Sequence, residues 1–403
     1  MPLDPHLLHR ERSARIARAF QADIDRGAIP GAVVLIARNG KLAYLEALGH
    51  RDHEKRLPMT KDAIFRIASM TKPMVSCAVM MLAEEGRIRL VNPISAYLPE
   101  LAGLKVGVES VDAAGKPVLT LEAARREMSV QDLLRHTSGL TYGQFGDSLV
   151  KQAYRAADMM NPQQTTAQFI TKLAQLPLQN QPGEVFEYSM STDVLGRLVE
   201  VVSGHSLDAF IAERITGPLG MQDTGFHVPV AEAARVAEAM VDPKTGQRPA
   251  MARDLTVKPA FLSGGGGMVS TAPDYLRFAQ MLANGGDYDG ARLLARKSVS
   301  LMTSDHLPPT VRFAPTTRAQ FEESAPIPEF GQGFGLGFCV RKEAGRNPVP
   351  GSAGEFYWSG VHGTYFWIDP SEALIGILMT CAPDVRRHYR ALMRQLAYQA
   401  LPD

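Results

Sequence analysis

The stretch Phe65-Arg66-Ile67-Ala68-Ser69-Met70-Thr71-Lys72-Pro73 decides how this chain folds. Ala63 to Ala68 reads as an extended apolar run. It leads into a helix with no charge between Lys72 and Glu84. Pro73 falls in the first turn of that helix, where a missing N–H costs little. Ser69 therefore stands near a helix N-terminus, where free N–H groups and the dipole favour an anion. Ser69 and Lys72 lie three positions apart on one helix face, with Cβ atoms roughly 5–6 Å apart. A serine hydroxyl is a poor nucleophile until a base takes its proton. A lysine can be that base where an apolar wall and nearby positive charge hold it neutral. The run Met74 to Ala83 supplies the wall.

A Ser-x-x-Lys tetrad alone is a weak signal, because short motifs recur by chance. The chain holds a second one, Ser148-Leu149-Val150-Lys151. The residues after this second tetrad are polar (Gln152, Tyr154, Arg155, Asp158), so Ser148 and Lys151 read as surface, with Lys151 solvated and protonated.

Outward from the first tetrad, the N-terminal side predicts a helix over Leu7 to Arg26 and a strand over Ala32 to Ala37. A second strand, Leu42 to Ala47, returns antiparallel across Asn39-Gly40, two residues that tolerate positive φ. Helical patterns dominate from Leu82 to Val201, interrupted by a hairpin over Val106 to Thr120. Val130 to Leu134 is a short helix, followed by the turn Arg135 to Gly139. Further helices cover Val194 to Val202, Leu207 to Ile215 and Pro273 to Ala283, the last capped by Ser270 or Thr271. The run Gly264 to Gly267 allows close backbone approach. It lacks the Lys-Ser/Thr that would complete a phosphate loop. Gly335 to Val340, Gly363 to Asp369 and Ala373 to Cys381 read as strands, and Val385 to Leu401 as a closing helix. The expected class is α/β plus all-α. Residues 1–68 and 205–403 form a lobe with an antiparallel sheet flanked by helices, and residues 69–204 a mainly helical lobe. The active site is expected in the cleft between them.

The bulk numbers set the class of partner. Of 403 residues, 45% are hydrophobic and 21% charged, ordinary for a soluble enzyme. Lys+Arg 43 against Asp+Glu 42 leaves a net charge of +1, so there is no electrostatic case for nucleic acid or an anionic membrane. No stretch approaches the ~20 apolar residues of a membrane span, and Met1 to Phe20 has no apolar signal core. Cys77, Cys339 and Cys381 sit in apolar runs without metal-ligand spacing. They read as core residues of a reducing, cytoplasmic compartment. No metal or cofactor is expected, and the partner is a small molecule.

Two more groups bear on the chemistry. Tyr188-Ser189-Met190 precedes a helix, and a tyrosine there can hold a proton for a leaving group. Trp358-Ser359-Gly360 reads as an exposed strand edge whose N–H can face a developing oxyanion. In this order, Ser69-Met70-Thr71-Lys72, Tyr188-Ser189-Met190 and Trp358-Ser359-Gly360 resemble the serine β-lactamase-like superfamily. The closest look is to the class C β-lactamase branch and, within it, the family VIII carboxylesterases. His136-Thr137-Ser138-Gly139 and Gly264 to Met268 also look like its landmarks.

The resemblance implies a β-lactamase/transpeptidase-like fold and a serine hydrolase working through an acyl-enzyme. Ser69, Lys72 and Tyr188 become the catalytic set. The N–H groups of Ser69 and of a residue near Gly360 become the oxyanion site. Trp358, Ser359, Gly360, His362, Tyr142 and Met190 become substrate contacts. His362-Gly363-Thr364 competes with Trp358 for the third motif. His136 reads as a structural hydrogen bonder, and Pro308 to Phe334, with Phe313, Phe321, Phe330 and Phe334, as a pocket rim.

Two departures set the branch. Met190 stands where a class C β-lactamase has Asn, and Trp358 where it has Lys. Trp358 brings no cation for a substrate carboxylate, which removes a charge-assisted contact and adds an apolar wall suited to neutral esters. No Gly-x-Ser-x-Gly elbow is present. The expected reaction is hydrolysis of short-chain carboxylic esters. An acyltransferase of the same fold, a β-lactamase or D-Ala-D-Ala peptidase, an amidase on small linear amides and a non-enzymatic ligand binder stand as alternatives.

Overall fold

At Asn39 and Gly40 the chain turns with φ of 51° and 70°, as the hairpin signal predicts. The turn joins β1 (Gly31–Arg38) to β2 (Lys41–Asp52), which continues to β3 (Leu57–Pro58). The computed structural model describes residues 3–242, 244–249 and 253–402. Five later strands complete the sheet: β4 (Gln332–Phe334), β5 (Cys339–Arg341), β6 (Phe356–Ser359), β7 (Tyr365–Asp369) and β8 (Leu374–Thr380). The eight strands run in the order β4-β5-β6-β7-β8-β1-β2-β3, with antiparallel pairing throughout. The N-terminal hairpin thus closes onto the last strand of the chain.

Val33, Val34, Leu35 and Ile36 are all fully buried, so β1 is covered on both faces, which its continuous apolar run encodes. The covering helices are identified by neighbouring side chains of β7, which point to opposite faces. Phe366 packs on Tyr275 of α8 (Ala272–Ala283), and Trp367 packs on Tyr398 of the C-terminal helix Arg386–Gln399. The N-terminal helix α1 (Arg10–Asp25) lies beside that C-terminal helix.

The helical segment carries α2 (Thr71–Glu84), α3 (Val130–Leu134), α4 (Leu149–Ala156), α5 (Thr166–Leu173), α6 (Ser191–Ser203) and α7 (Leu207–Ile211). Helix α2 is buried from Thr71 to Leu82, as a helix apolar on every side must be. It packs on α6, while α3 and α5 pack on α6 as well. The predicted hairpin exists as Lys105–Val111 paired with Pro117–Ala123. Thr271 caps α8 by accepting from the Asp274 N–H.

Three expectations need correction. Gly335 to Val340 is not one strand: two short strands flank a turn at 335–338, because Gly337 takes a φ of 101°. Phe356–Ser359 is an interior strand and no sheet edge, since it pairs with both β5 and β7. Pairing to β5 stops at Tyr357, however, so that side of Trp358 and Ser359 is open. Lastly, Ser148 and Lys151 are not surface. Ser148 caps α4 and donates to Gln179. Lys151 is 6% exposed and pairs with Glu187 at 2.9 Å. The sequence around Lys151 is polar, but the face of α4 bearing Val150, Lys151 and Tyr154 turns inward. A charge can follow them only because Glu187 is there to meet it.

That pair also braces the site. Glu187 accepts from Thr141 at 2.6 Å and from Asn180 at 2.6 Å, and it precedes Tyr188 as Thr141 precedes Tyr142. Replacing Lys151 with Ala leaves Glu187 buried without its counter-charge. The variant should lose about 3 kcal/mol of stability, read as a lowered midpoint in equilibrium denaturant unfolding.

Candidate active site

Ser69 lies on a single 3-10 turn, Ala68–Met70, that runs straight into α2. In that tighter turn positions i and i+3 eclipse, so Ser69 and Lys72 face each other. Lys72 Nζ lies 3.3 Å from Ser69 Oγ. The turn is held from three sides. Tyr275 of α8 donates to the Met70 carbonyl at 3.0 Å. The Met268 N–H donates to Thr71 Oγ1 at 3.1 Å. Thr364 Oγ1 donates to the Ile67 carbonyl at 3.2 Å. Ala68 itself takes a positive φ of 44°, a strained conformation for a residue with a side chain.

Lys72 is 1% exposed. Besides Ser69 it donates to the Tyr142 hydroxyl oxygen at 3.1 Å and the Gly265 carbonyl at 2.7 Å. Its Nζ also lies 4.5 Å from the centroid of the Tyr188 ring, where a positive charge on it would meet the ring face. Lys72 thus touches the face of Tyr188, while the Tyr188 hydroxyl accepts from Trp358 Nε1 at 3.4 Å.

His136, Ser138, Ser189 and Ser191 support Tyr188 from behind. His136 Nδ1 meets Ser189 Oγ at 3.3 Å, and the Ser191 hydroxyl meets those of Ser189 and Ser138 at 2.7 Å each. Burial first, and then the Lys72 charge, push His136 well below the usual histidine range, so it is a neutral member of that network.

Ser69 opens into a cavity of about 360 Å³ whose walls include Met160, Pro162, Leu255, Phe261 and Val361. Tyr142, Tyr188 and His362 also line it. Burial, then Arg66 and Arg386, push His362 down to about 4, so it is uncharged at neutral pH. A smaller cavity of about 50 Å³ adjoins Ser69 and Tyr188 and is lined by Phe321, Ser359, Val361, Arg386 and Arg390.

Three of the expected substrate contacts change meaning. Trp358 is 2% exposed and lines neither cavity. It packs against Tyr188, Phe321 and Phe334, so it positions Tyr188 and does not form the substrate wall. Met190 is likewise buried and lines neither cavity, because it heads α6 with its side chain in the core. The Gly360 N–H donates to the Thr364 carbonyl at 2.8 Å and is not free for an oxyanion. The next N–H, of Val361, makes no hydrogen bond to a described residue. Of the four phenylalanines expected at the rim, Phe321 alone lines either cavity next to Ser69.

The missing cation at position 358 is also offset. Arg386 and Arg390, both from the C-terminal helix, line the smaller cavity. Arg390 donates to the Gly360 carbonyl at 2.6 Å, and burial pushes it down to about 9.

Three residues of the site carry no motif of their own: Gly265, Ser263 and Asp193. Asp193 Oδ1 accepts from the Ser263 hydroxyl at 2.5 Å and the Gly265 N–H at 3.0 Å. The signal for them is the glycine run. A Cβ on Gly265 would collide with the Asp193 carboxylate and the Tyr142 hydroxyl, so only glycine brings that carbonyl to Lys72. Chemically, the arrangement offers a serine–amine pair, two tyrosines beside it and an accessible cavity, a set able to carry acyl transfer through serine. Among the described residues no group of three or more His, Cys, Asp or Glu could hold a metal, and no helix is long and apolar enough to cross a membrane.

Comparison with known proteins agrees with the fold. The model of the family described as Beta-lactamase matches residues 16–399. Protein Rv1367c of Mycobacterium tuberculosis (strain ATCC 25618 / H37Rv) is 39% identical over 370 residues, covering 90% of this chain and 88% of that protein. Esterase EstB of Burkholderia gladioli is 30% identical over 387 residues, covering 91% and 90%. The solved structure of EstCE1, described as a hydrolase with promiscuous acyltransferase activity, superposes with a TM-score of 0.77 at 27% identity, over 96% of this chain and 99% of that one. The chain belongs to the β-lactamase family, with the β-lactamase/transpeptidase-like fold.

Proposed function

We propose that this protein is a serine carboxylesterase that cleaves short-chain esters through an acyl-enzyme on Ser69. The observation that carries the reading is the Ser69–Lys72 pair, 3.3 Å apart, with Ser69 lining a mainly apolar cavity of about 360 Å³ that Arg66 and Arg253 also line. Such a cavity suits a neutral acyl group and a modest alcohol. The likeness to EstB and EstCE1 supports the same chemistry.

In this mechanism Ser69 Oγ bonds to the ester carbonyl carbon while its proton passes to Lys72 Nζ. The carbonyl electron pair moves onto oxygen, where the N–H groups of Ser69 and Val361 receive it. Collapse of the tetrahedral species breaks the carbon–alcohol bond, and the Tyr188 hydroxyl protonates the departing alkoxide. Lys72 returns its proton to Tyr188 as the ester bond to Ser69 is completed. Water then attacks the acyl-enzyme through the same groups in reverse. Lys72 and Tyr188 act as one coupled pair.

Preference for esters over β-lactams rests on the apolar walls and the relatives. The lack of a cation at Trp358 no longer argues for it, since Arg386 and Arg390 stand beside the serine.

Ser69→Ala should abolish hydrolysis of a nitrophenyl butyrate while circular dichroism stays unchanged; retained turnover would refute the assignment. Lys72→Ala should lower kcat/KM by about 10²–10⁴-fold, the range of a lost general base. A chromogenic cephalosporin measures the β-lactamase alternative, with turnover at least about 10²-fold below that of the ester expected.

A second reading has its own support. The EstCE1 description includes acyltransferase activity, and the cavity beside Ser69 is wide enough for an alcohol to replace the water. With ester substrate and a short alcohol together, a transferase yields the new ester at a rate that rises with alcohol concentration. A hydrolase releases only free acid.

A further inference from the structure

Asp193 takes no part in the steps above, yet its position is unusual. It sits in the first turn of α6, shortly after Tyr188, and is 1% exposed. A carboxylate that deep is normally satisfied at both oxygens. Oδ1 is, through Ser263 and Gly265. Oδ2 has no hydrogen-bond partner among the described residues. Tyr142 is its counterpart. Its oxygen accepts from Lys72 at 3.1 Å, and its own O–H proton donates to no described residue. Both unmatched atoms face one hollow, since a single Cβ on Gly265 would strike Asp193 Oδ2 and the Tyr142 hydroxyl together.

The charges around Lys72 leave one candidate for its counter-ion. Tyr142 and Tyr188 present ring faces at 5.5 and 4.5 Å. Burial, and then Asp193, push the Tyr142 phenol well above its usual range, so it keeps its proton. His136 is neutral, and Arg390, on the far side of Tyr188, is a cation. Among these groups Asp193 alone is acidic. Burial raises its carboxyl, and among the groups that oppose that rise the Lys72 charge comes first.

We propose that Asp193 is the counter-charge of the Ser69 proton transfer, a positioning residue that acts on Ser69 through Tyr142 and Lys72. The inference rests on the acyl-enzyme reading. When the Ser69 O–H bond breaks, the proton forms a new bond to Lys72 Nζ. The resulting ammonium leans on the Tyr142 oxygen, and the Tyr142 O–H points to Asp193 Oδ2, directly or through one water. Tyr142 keeps its proton throughout, so the relay moves charge compensation and not a second proton. Through Oδ1, Asp193 also fixes Gly265, whose carbonyl holds Lys72 at 2.7 Å.

The test is the pH dependence of Ser69 labelling by a fluorophosphonate, followed by intact mass, together with kcat/KM on a nitrophenyl ester. Asp193→Asn keeps the shape and removes the charge. The plateau should fall about 10- to 100-fold. The midpoint of the acidic limb should move down by about one pH unit, because protonated Lys72 loses its opposite charge. An unmoved limb, with or without a lower plateau, overturns the proposal and leaves Asp193 a structural residue. Tyr142→Phe carries the same test if Asp193→Asn fails to fold. Its limb should move in the same direction, and the double variant should fall no further than the worse single one. If the unaltered protein shows no Ser69 adduct at any pH, the acyl-enzyme reading itself fails and this inference falls with it. An adduct with an unmoved limb removes this inference alone.

Discussion

A lysine amine buried to 1% exposure is the constraint on which the rest of this site depends. A positive charge left isolated on it at that depth would cost several kcal/mol in practice. Lys72 recovers it through three acceptors (Ser69, Tyr142 and the Gly265 carbonyl) and the face of Tyr188. Each acceptor comes from a different part of the chain, so the lysine ties the start of α2 to the turn after α3 and to the glycine run before α8. Removing any one of them changes the charge balance of the nucleophile directly.

The scaffold makes those approaches possible at close range. Gly265 reaches Lys72 because no side chain intervenes, and Gly360 reaches the backbone beneath Ser69 for the same reason. A Cβ on Gly360 would strike Thr364 and the Ile67 carbonyl. Sheet, turn and helix therefore meet closely at Ser69, and the hydroxyls of Tyr275, Thr71 and Thr364 tie them to one another. The buried Lys151–Glu187 pair does that securing from outside, with Glu187 next to Tyr188 and its partner Thr141 next to Tyr142.

Sequence periodicity makes the secondary structure legible wherever one face is buried. The short helix Val130–Leu134 stands as predicted, and the Asn39-Gly40 hairpin and the α8 cap are where their local chemistry puts them. The meeting of Ser69 and Lys72 is legible too, because positions three apart at a helix start share one face. Three things are not. Lys151 looks solvated because its partner Glu187 lies far along the chain, and no local pattern reports a distant carboxylate. Trp358 looks like a substrate wall since sequence gives its neighbours in the chain and not the ring of Tyr188 across the cleft. Asp193 escapes notice, and the glycine run at Gly265 shows only that some group comes close and not which one, because both matter through a contact between segments distant in the chain.

The same logic bears on what separates this site from a β-lactam site. Position 358 by itself suggests a deletion of charge, yet charge in a cleft is a property of the cavity and not of one motif position. Arg386 and Arg390 enter from the last helix and put guanidinium groups beside Ser69 and Ser359. What position 358 changes is the hydroxyl of Tyr188. An indole N–H donates to that oxygen at 3.4 Å where a lysine would bring a full positive charge. A neutral donor makes a weaker hydrogen bond than a cation does, so Trp358 holds Tyr188 mainly by packing, with ring centroids 5.3 Å apart. The charge of the cleft and the placing of Tyr188 thus come from different parts of the chain, the first from the last helix and the second from the sheet.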